Sequence, residues 1–425
     1  MSRFVIHGGR RVSGTYSPVG NKNAVLPMLA ACLLTDESIT LHNVPRIRDV
    51  EVMLELLQDL GVTVSRRADV VVLRAREVKR RRLREDLCRK VRASILLSGP
   101  LAAKHGRAVM PPPGGDVIGR RRLDTHFSGL QALGISVEGG SHYTLRRRSL
   151  RGAKVLLDEA SVTATENFLM AAALAEGAST VFNAACEPHV ADLGRLLVKM
   201  GARIEGLGSN RIHVQGVSEL RGAEHTVGPD LIEIGSFLAA AAVTRGELCV
   251  RGMGADEDLR GIQRVFSRLG VDTVQEGADV RLPAGRKMSI RRDLGRAIPK
   301  VEDGPWPAFP SDLMSVAIVL ATQAKGTVLF FEKMFESRMY FVDRLIEMGA
   351  DIIPCDPHRV VVSGPCALHG THLTSPDIRA GMSLVLAALC ARGQSVIDQA
   401  EVIDRGYERI DERLRELGVD IVREE

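Results

Sequence analysis

Aromatic side chains are scarce in this chain: one Trp, four Tyr and eleven Phe make up only 4% of 425 residues. Platforms that stack nucleic-acid bases need several aromatics, so the scarcity argues against a single-stranded nucleic-acid binder. Long apolar runs are missing as well. No stretch approaches the roughly 18 residues that a membrane-spanning helix requires, and the first eleven residues hold only the short apolar run 4–6. A cytoplasmic protein without anchor or signal is expected, with no membrane partner. The seven cysteines (Cys32, Cys88, Cys186, Cys249, Cys355, Cys366 and Cys390) are odd in number and form no CxxC pair. They read as reduced, mostly buried thiols. Neither a Walker A nor a GxGxxG pattern opens a helix, and no metal-ligand spacing occurs, so nucleotide hydrolysis, Rossmann redox chemistry and metal sites lose support. No cofactor is expected.

What the chain does have is an internal repeat. An apolar residue and a glycine, followed by a short alternating strand, recur at Gly61, Gly134, Gly201, Gly270, Gly349 and Gly418, with spacings of 73, 67, 69, 79 and 69 residues. Each glycine closes an amphipathic segment. Val50, Met53, Leu54 and Leu57, for example, fall at i, i+3, i+4 and i+7, and a glycine after such a face predicts a helix C-cap. Upstream in each unit lies a more apolar helix, at 23–34, 93–103, 167–175, 234–243, 313–324 and 382–391, expected at the centre of its domain because it has no polar face. The length exceeds what one core serves. Six α/β units therefore divide into two three-unit domains, residues 22–229 and residues 1–21 plus 230–425, with a boundary near 229.

The net charge of +5 is small, yet basic runs at 79–82, 120–122 and 146–148 are dense. They suit anionic ligands or a solvated surface. Residues 111–122 combine three prolines, three glycines, Asp116 and the guanidiniums of Arg120, Arg121 and Arg122. That composition suits a lid over a multiply charged ligand, and the bland alternative is an exposed loop. Lys22 stands just ahead of the first apolar helix, where backbone N–H groups favour an anion, although a solvated lysine reads equally well. Arg92, Arg338, Arg379 and Arg405 sit at unit starts or helix ends, and guanidiniums there suit clamps on carboxylates or phosphates.

The runs Gly-Asn-Lys22-Asn23-Ala-Val-Leu-Pro, Pro-Gly-Gly-Asp116-Val-Ile-Gly, Pro-Ala-Phe-Pro-Ser-Asp312, Phe-Glu-Ser-Arg338, Asp377-Ile-Arg379-Ala and Asp-Arg405-Gly-Tyr-Glu-Arg resemble the motifs of the UDP-N-acetylglucosamine enolpyruvyl transferases. The likeness spans essentially the whole chain. It implies a two-domain inside-out α/β barrel with the active site in the cleft between the domains. It also implies transfer of the enolpyruvyl group of phosphoenolpyruvate to the 3-hydroxyl of UDP-N-acetylglucosamine, the first committed step of peptidoglycan precursor synthesis. By the same resemblance Lys22, Arg121 and Arg405 hold the donor phosphate with Asn23 beside them, while Arg338 and Arg379 help with its carboxylate. Arg92, Arg121, Arg122, Leu123, Asp124, Thr125, Ser161, Val162, Asp312 and Met334 line the nucleotide-sugar site. Asp312 is the implied general base and Asp116 the implied acid that protonates C3.

The chain departs from the family pattern in four places. Asp116 replaces the usual lid cysteine, a variant found in a minority of members, so fosfomycin, which alkylates that cysteine, is not expected to inactivate the protein. Glu159 stands for a lysine, Leu231 for an arginine and His189 for a glutamate; drift at exposed rim positions or an altered acceptor would account for each. Three alternatives stay open: a paralogue acting on another UDP-sugar or nucleoside, 5-enolpyruvylshikimate-3-phosphate synthase, and a non-enzymatic nucleic-acid binder. The second opens with a serine-lysine motif that Lys22-Asn23 lacks. Nothing in the sequence signals an oligomeric state.

Overall fold

The computed structural model describes residues 2–116, 118–253, 256–285 and 287–425. It divides into two compact units. Unit 1 comprises Met1–Pro18, Val117–Arg120 and Asp230–Glu425, and unit 2 comprises Val19–Asp116 and Arg121–Pro229.

The apolar helices are the centre of each unit. In unit 2 they are α1 (Lys22–Ala31), α2 (Ser98–His105) and α3 (Val162–Ala172), and in unit 1 they are α4 (Leu231–Val243), α5 (Met314–Gln323) and α6 (Ile378–Cys390). Every residue of α4 is buried, as is every residue of α1 except Asn23. Helices without a polar face are stable only when surrounded, so the three of each unit pack together and the sheets lie outside them. The amphipathic helices, such as Arg48–Leu60 and Pro188–Lys199, cover the outer layer, and each of the six repeat glycines adopts the left-handed conformation, with φ from 86° to 105°. A side chain there would be strained, which is why glycine recurs.

Two expected helices differ: 23–34 is α-helical only to Ala31 and ends in the 3-10 turn Cys32–Leu34, and the second departs further. Residues 93–103 are not a single α-helix: Arg92–Leu97 is a 3-10 segment, and the α-helix begins only at Ser98. The hydroxyls of Ser94 and Ser98 donate to the carbonyls of Val91 and Ile95, and Pro100 lacks the N–H that would bond back to Leu96.

The sheets repeat too. Five have four strands, with two antiparallel pairings and one parallel pairing each, as where Ser38–His42 pairs antiparallel with Val70–Arg74 and parallel with Ala223–Thr226. The sixth has three strands, and its parallel fourth is reduced to one bridge, Arg82 to Val109. In unit 2 the parallel strand comes from the preceding repeat, and Ala223–Thr226 closes the ring onto the first. In unit 1 the N-terminal segment supplies two strands. Ser13–Tyr16 is the parallel partner of Glu247–Val250, and Arg3–His7 lies between Gln394–Asp398 and Asp420–Glu424. Each unit has its own core cluster. All seven cysteines are free thiols, and among the described residues no helix is long and apolar enough to cross a membrane.

Candidate active site

Unit 2 sets two of its expected cations at the start of a helix or 3-10 segment. Asn21 caps α1, its side chain accepting from the N–H groups of Asn23 (2.7 Å) and Ala24 (3.2 Å), so Lys22 becomes the first helical residue. Lys22 is not a solvated lysine: it is 8% exposed, and its Nζ lies 2.8 Å from Asp49 Oδ2, itself 4% exposed. Asp49, from the first turn of Arg48–Leu60, is a partner that the sequence reading missed, since no motif ties it to Lys22.

Arg92 opens the 3-10 segment and donates through Nη2 to the Arg121 carbonyl at 2.6 Å. Burial, and then the Arg121 charge, push the Arg92 guanidinium down to about 10. A half-buried guanidinium that feels a second positive charge favours an anionic ligand beside it. The Pro-Pro-Gly-Gly run packs against the backbone of Arg89 and Arg92. A Cβ on Gly114 would come within 1.8 Å of the Arg89 carbonyl oxygen, and one on Gly115, where φ is +101°, within 2.9 Å of Arg92 Cβ. Only glycine allows this passage, and it delivers Asp116, half-buried, as the next residue.

Behind Arg92 a neutral histidine is locked in place. His126 Nδ1 accepts from Asn167 Nδ2 at 3.0 Å, which leaves the Nε2 proton to be donated to Thr163 Oγ1, also at 3.0 Å. Asn167 donates in addition to the Ile95 carbonyl and accepts from the Gly99 N–H, tying the 3-10 segment to α3. His126 and Asn167 were likewise not singled out from the sequence. Of the expected nucleotide-sugar residues, Thr125 is buried and donates to Asp158 Oδ1 at 2.5 Å, Leu123 is buried, and Ser161 caps α3 just before Val162. Arg122 and Asp124 are exposed and paired with each other at 2.8 Å.

Unit 1 brings three expected residues into direct contact. Asp312, in the 3-10 turn Ser311–Leu313 ahead of α5, accepts from Arg338 Nη2 at 2.6 Å through Oδ1 and from Arg379 Nε at 3.0 Å through Oδ2. Arg379 is 5% exposed and stacks over the Tyr407 ring at 5.4 Å. Burial opposes its charge, but Asp312 and then Tyr407 raise its guanidinium further above the usual range. Arg338 Nε and Arg379 Nη1 are both buried and meet no acceptor among the described residues. Buried donors without acceptors are costly, and guanidinium donors of this kind suit a carboxylate or phosphate. Arg405 is half-buried beside Gly406, where a Cβ would come within 2.6 Å of Ile378 Cγ2. Met334 is 40% exposed, ahead of the turn that carries Arg338. In that same turn Glu336 accepts from the Arg120 N–H at 3.2 Å, and the Ser337 N–H donates to the Ile118 carbonyl at 3.1 Å.

The departures from the family pattern are not all at exposed positions. Glu159 is exposed, but His189 is half-buried and Leu231, the first residue of α4, is 8% exposed. Rim drift therefore fits Glu159 alone.

A family model described as EPSP synthase (3-phosphoshikimate 1-carboxyvinyltransferase) matches residues 6–414. A UDP-N-acetylglucosamine 1-carboxyvinyltransferase of Treponema denticola is 52% identical over 422 residues, covering 99% of both chains, and one of Bradyrhizobium diazoefficiens is 51% identical, covering 99% of this chain and 98% of the other. Among solved structures, the enolpyruvyl transferase NikO from Streptomyces tendae superposes with a TM-score of 0.88 at 23% identity, covering 99% of this chain and 98% of that one. An EPSP synthase from Acinetobacter baumannii gives 0.76 at 19% identity, covering 100% of both chains. The structural likeness is one of fold, and it is the identity held along the full length that places this chain in the enolpyruvyl transferase family, among the UDP-N-acetylglucosamine 1-carboxyvinyltransferases.

Proposed function

We propose that this chain transfers the enolpyruvyl group of phosphoenolpyruvate to the 3-hydroxyl of UDP-N-acetylglucosamine with release of phosphate, opening peptidoglycan precursor synthesis in the cytoplasm. The observation that carries this reading is the pair of buried, acceptor-less donors on Arg338 and Arg379 beside Asp312. In the proposed reaction those donors take the donor carboxylate, while Asp312, held by the other nitrogens of the same two guanidiniums, accepts the proton of the sugar hydroxyl. The hydroxyl oxygen attacks C2 while Asp116 gives a proton to C3. A proton then leaves C3 as phosphate departs from C2, and the enol ether is restored. Lys22, Arg121 and Arg405, with Asn23 beside them, neutralise the phosphate through the addition and the elimination, a preorganised electrostatic contribution. Arg92, Arg121, Arg122, Leu123, Asp124, Thr125, Ser161, Val162 and Met334 contact the nucleotide sugar.

A second reading, the same chemistry on a different UDP-sugar or nucleoside, draws on Leu231 and His189, which are not exposed. One assay separates the two: phosphate release from phosphoenolpyruvate with UDP-N-acetylglucosamine, other UDP-sugars or shikimate 3-phosphate as acceptor. Turnover with the first acceptor is expected. Turnover with any other acceptor and none with UDP-N-acetylglucosamine would overturn the assignment.

A further inference from the structure

Two carboxyl groups meet in the interior of unit 1. Asp303, directly after the strand Lys300–Glu302, is 1% exposed, and Glu332, directly after Gly326–Phe331, is fully buried. Asp303 Oδ1 accepts from the Lys333 N–H at 2.5 Å, while its Oδ2 is buried and has no hydrogen-bond partner of its own among the described residues. Glu332 accepts from the Ser311 hydroxyl at both oxygens, at 2.9 and 3.0 Å, and from the Phe335 N–H at 3.2 Å. The charged and titratable groups facing the pair are Arg338, His358 and Lys333. Arg338 acts on Glu332 by charge alone, His358 Nδ1 bonds the Glu332 carbonyl at 2.6 Å, and the Lys333 ammonium is turned to Glu302 at 3.1 Å. Neither carboxyl has an ion-pair partner within the described residues.

Two buried carboxylates in contact repel strongly unless one holds a proton. A hydroxyl on Glu332 supplies the donor that Asp303 Oδ2 otherwise lacks. The segments gripped by this pair are those that carry the site. Ser311 immediately precedes Asp312, and Phe335, whose ring lies 5.4 Å from the Arg338 guanidinium, opens the turn that ends in Arg338.

We propose that Asp303 and Glu332 share one proton and act as a positioning pair, setting Asp312 and Arg338 for enolpyruvyl transfer. The inference rests on the functional reading above. The electrostatics agree: burial, and then the contact with Asp303, push the Glu332 carboxyl up to about 9, against the pull of Arg338 and Ser311.

The test compares Glu332→Gln and Glu332→Ala with the unmodified enzyme. The glutamine amide donates to Asp303 as the proton did, and its oxygen still accepts from Ser311 and Phe335. Glu332→Gln is therefore expected to keep turnover at pH 7, and Glu332→Ala to lower kcat about a hundredfold through misplacement of the reacting groups. In the unmodified enzyme kcat falls as pH rises through about 9 and the shared proton leaves; in Glu332→Gln that loss disappears. Equal losses in both variants, or the same alkaline limb in Glu332→Gln, overturn the proposal, and if Glu332→Ala does not fold, the glutamine variant and its pH profile decide alone. Thermal melting gives a readout independent of turnover. Between the ordinary 4.5 and about 9 the folded chain keeps a proton that the unfolded chain releases, so Tm falls with rising pH relative to that of Glu332→Gln. A flat difference refutes the shared proton whatever the substrate. A sloping difference in a protein inert toward phosphoenolpyruvate and UDP-N-acetylglucosamine would instead show that the functional reading has failed.

Discussion

His126 lies near Arg92 and Arg121, and burial, followed by those two charges, pushes its imidazole down to about 3. Below the ordinary 6.5 the unfolded chain takes up a proton that the folded chain refuses until about 3, so stability is present above 6.5 and drains away as pH falls across that window. The slope is about 1.4 kcal/mol per pH unit. His126→Gln is expected to flatten this acid limb in melting curves recorded from pH 7 to pH 4; an unchanged limb would mean that His126 is not the group responsible. Asp116 gives the second prediction at this scale. Asp116→Asn keeps the shape of the side chain but removes the proton, and should lower kcat by about 10²-fold or more while both substrates still bind in calorimetry. Asp116→Cys should remain active and gain time-dependent covalent labelling by fosfomycin, seen as a mass increase, which the unmodified protein lacks. Lys22, Arg338 and Arg379 were singled out because each stands in a short run that resembles a family motif, and Lys22 and Arg379 do lie in the first turn of a helix. Asp49 was not, and Tyr407 stood in a quoted run without a role, since what ties them to the candidate site is a contact across tens of residues, to Lys22 and to Arg379, which no local pattern encodes.

Elements aim these side chains, and their ends matter most. Asp377 caps α6, accepting from the N–H of Arg379 at 2.8 Å and of Ala380 at 3.0 Å. The cap therefore orders the very turn that points Arg379 at Asp312. Asp377→Ala is expected to cost about 1 kcal/mol of stability, read as a lower Tm, and to raise KM for phosphoenolpyruvate more than that for the nucleotide sugar, because Arg379 loses its orientation. Equal effects on both substrates would place the cap's influence elsewhere. Element types were largely readable from the chain. The helices with no polar face and the glycines after amphipathic ones depend on side chains within a few residues of each other, which is the range over which periodicity speaks. The 3-10 segment Arg92–Leu97 escaped because alanine and leucine favour an α-helix, and the contacts that override them come from Asn167, about seventy residues away in sequence.

At the scale of the molecule, the sequence shows six similar units but not how strands are traded among them, since pairing partners are non-local. The N-terminal segment is the clearest case. Arg3–His7 reads as one short apolar run, yet it is an inner strand, hydrogen-bonded on both edges to strands more than 380 residues later in the chain. Ser13–Tyr16 then serves as the parallel strand of another sheet. Phe4, Ile6, Val12 and Tyr16 are all essentially buried in the core of unit 1. Burying such side chains stabilises by about 2 kcal/mol each, and deletion also exposes the two strand edges that Arg3–His7 covers. The sum is comparable to the roughly 5–15 kcal/mol of net stability typical of a folded domain. A chain lacking residues 3–16 is therefore expected to lose the fold of unit 1 while unit 2, whose three repeats of helix and sheet contain no residue before Val19, keeps its own. Limited proteolysis followed by mass spectrometry distinguishes the outcomes. Protection confined to fragments of residues 19–229 is the expected pattern. Full protection of 230–425 in the truncated chain would show that the N-terminal strands decorate unit 1 without holding it together.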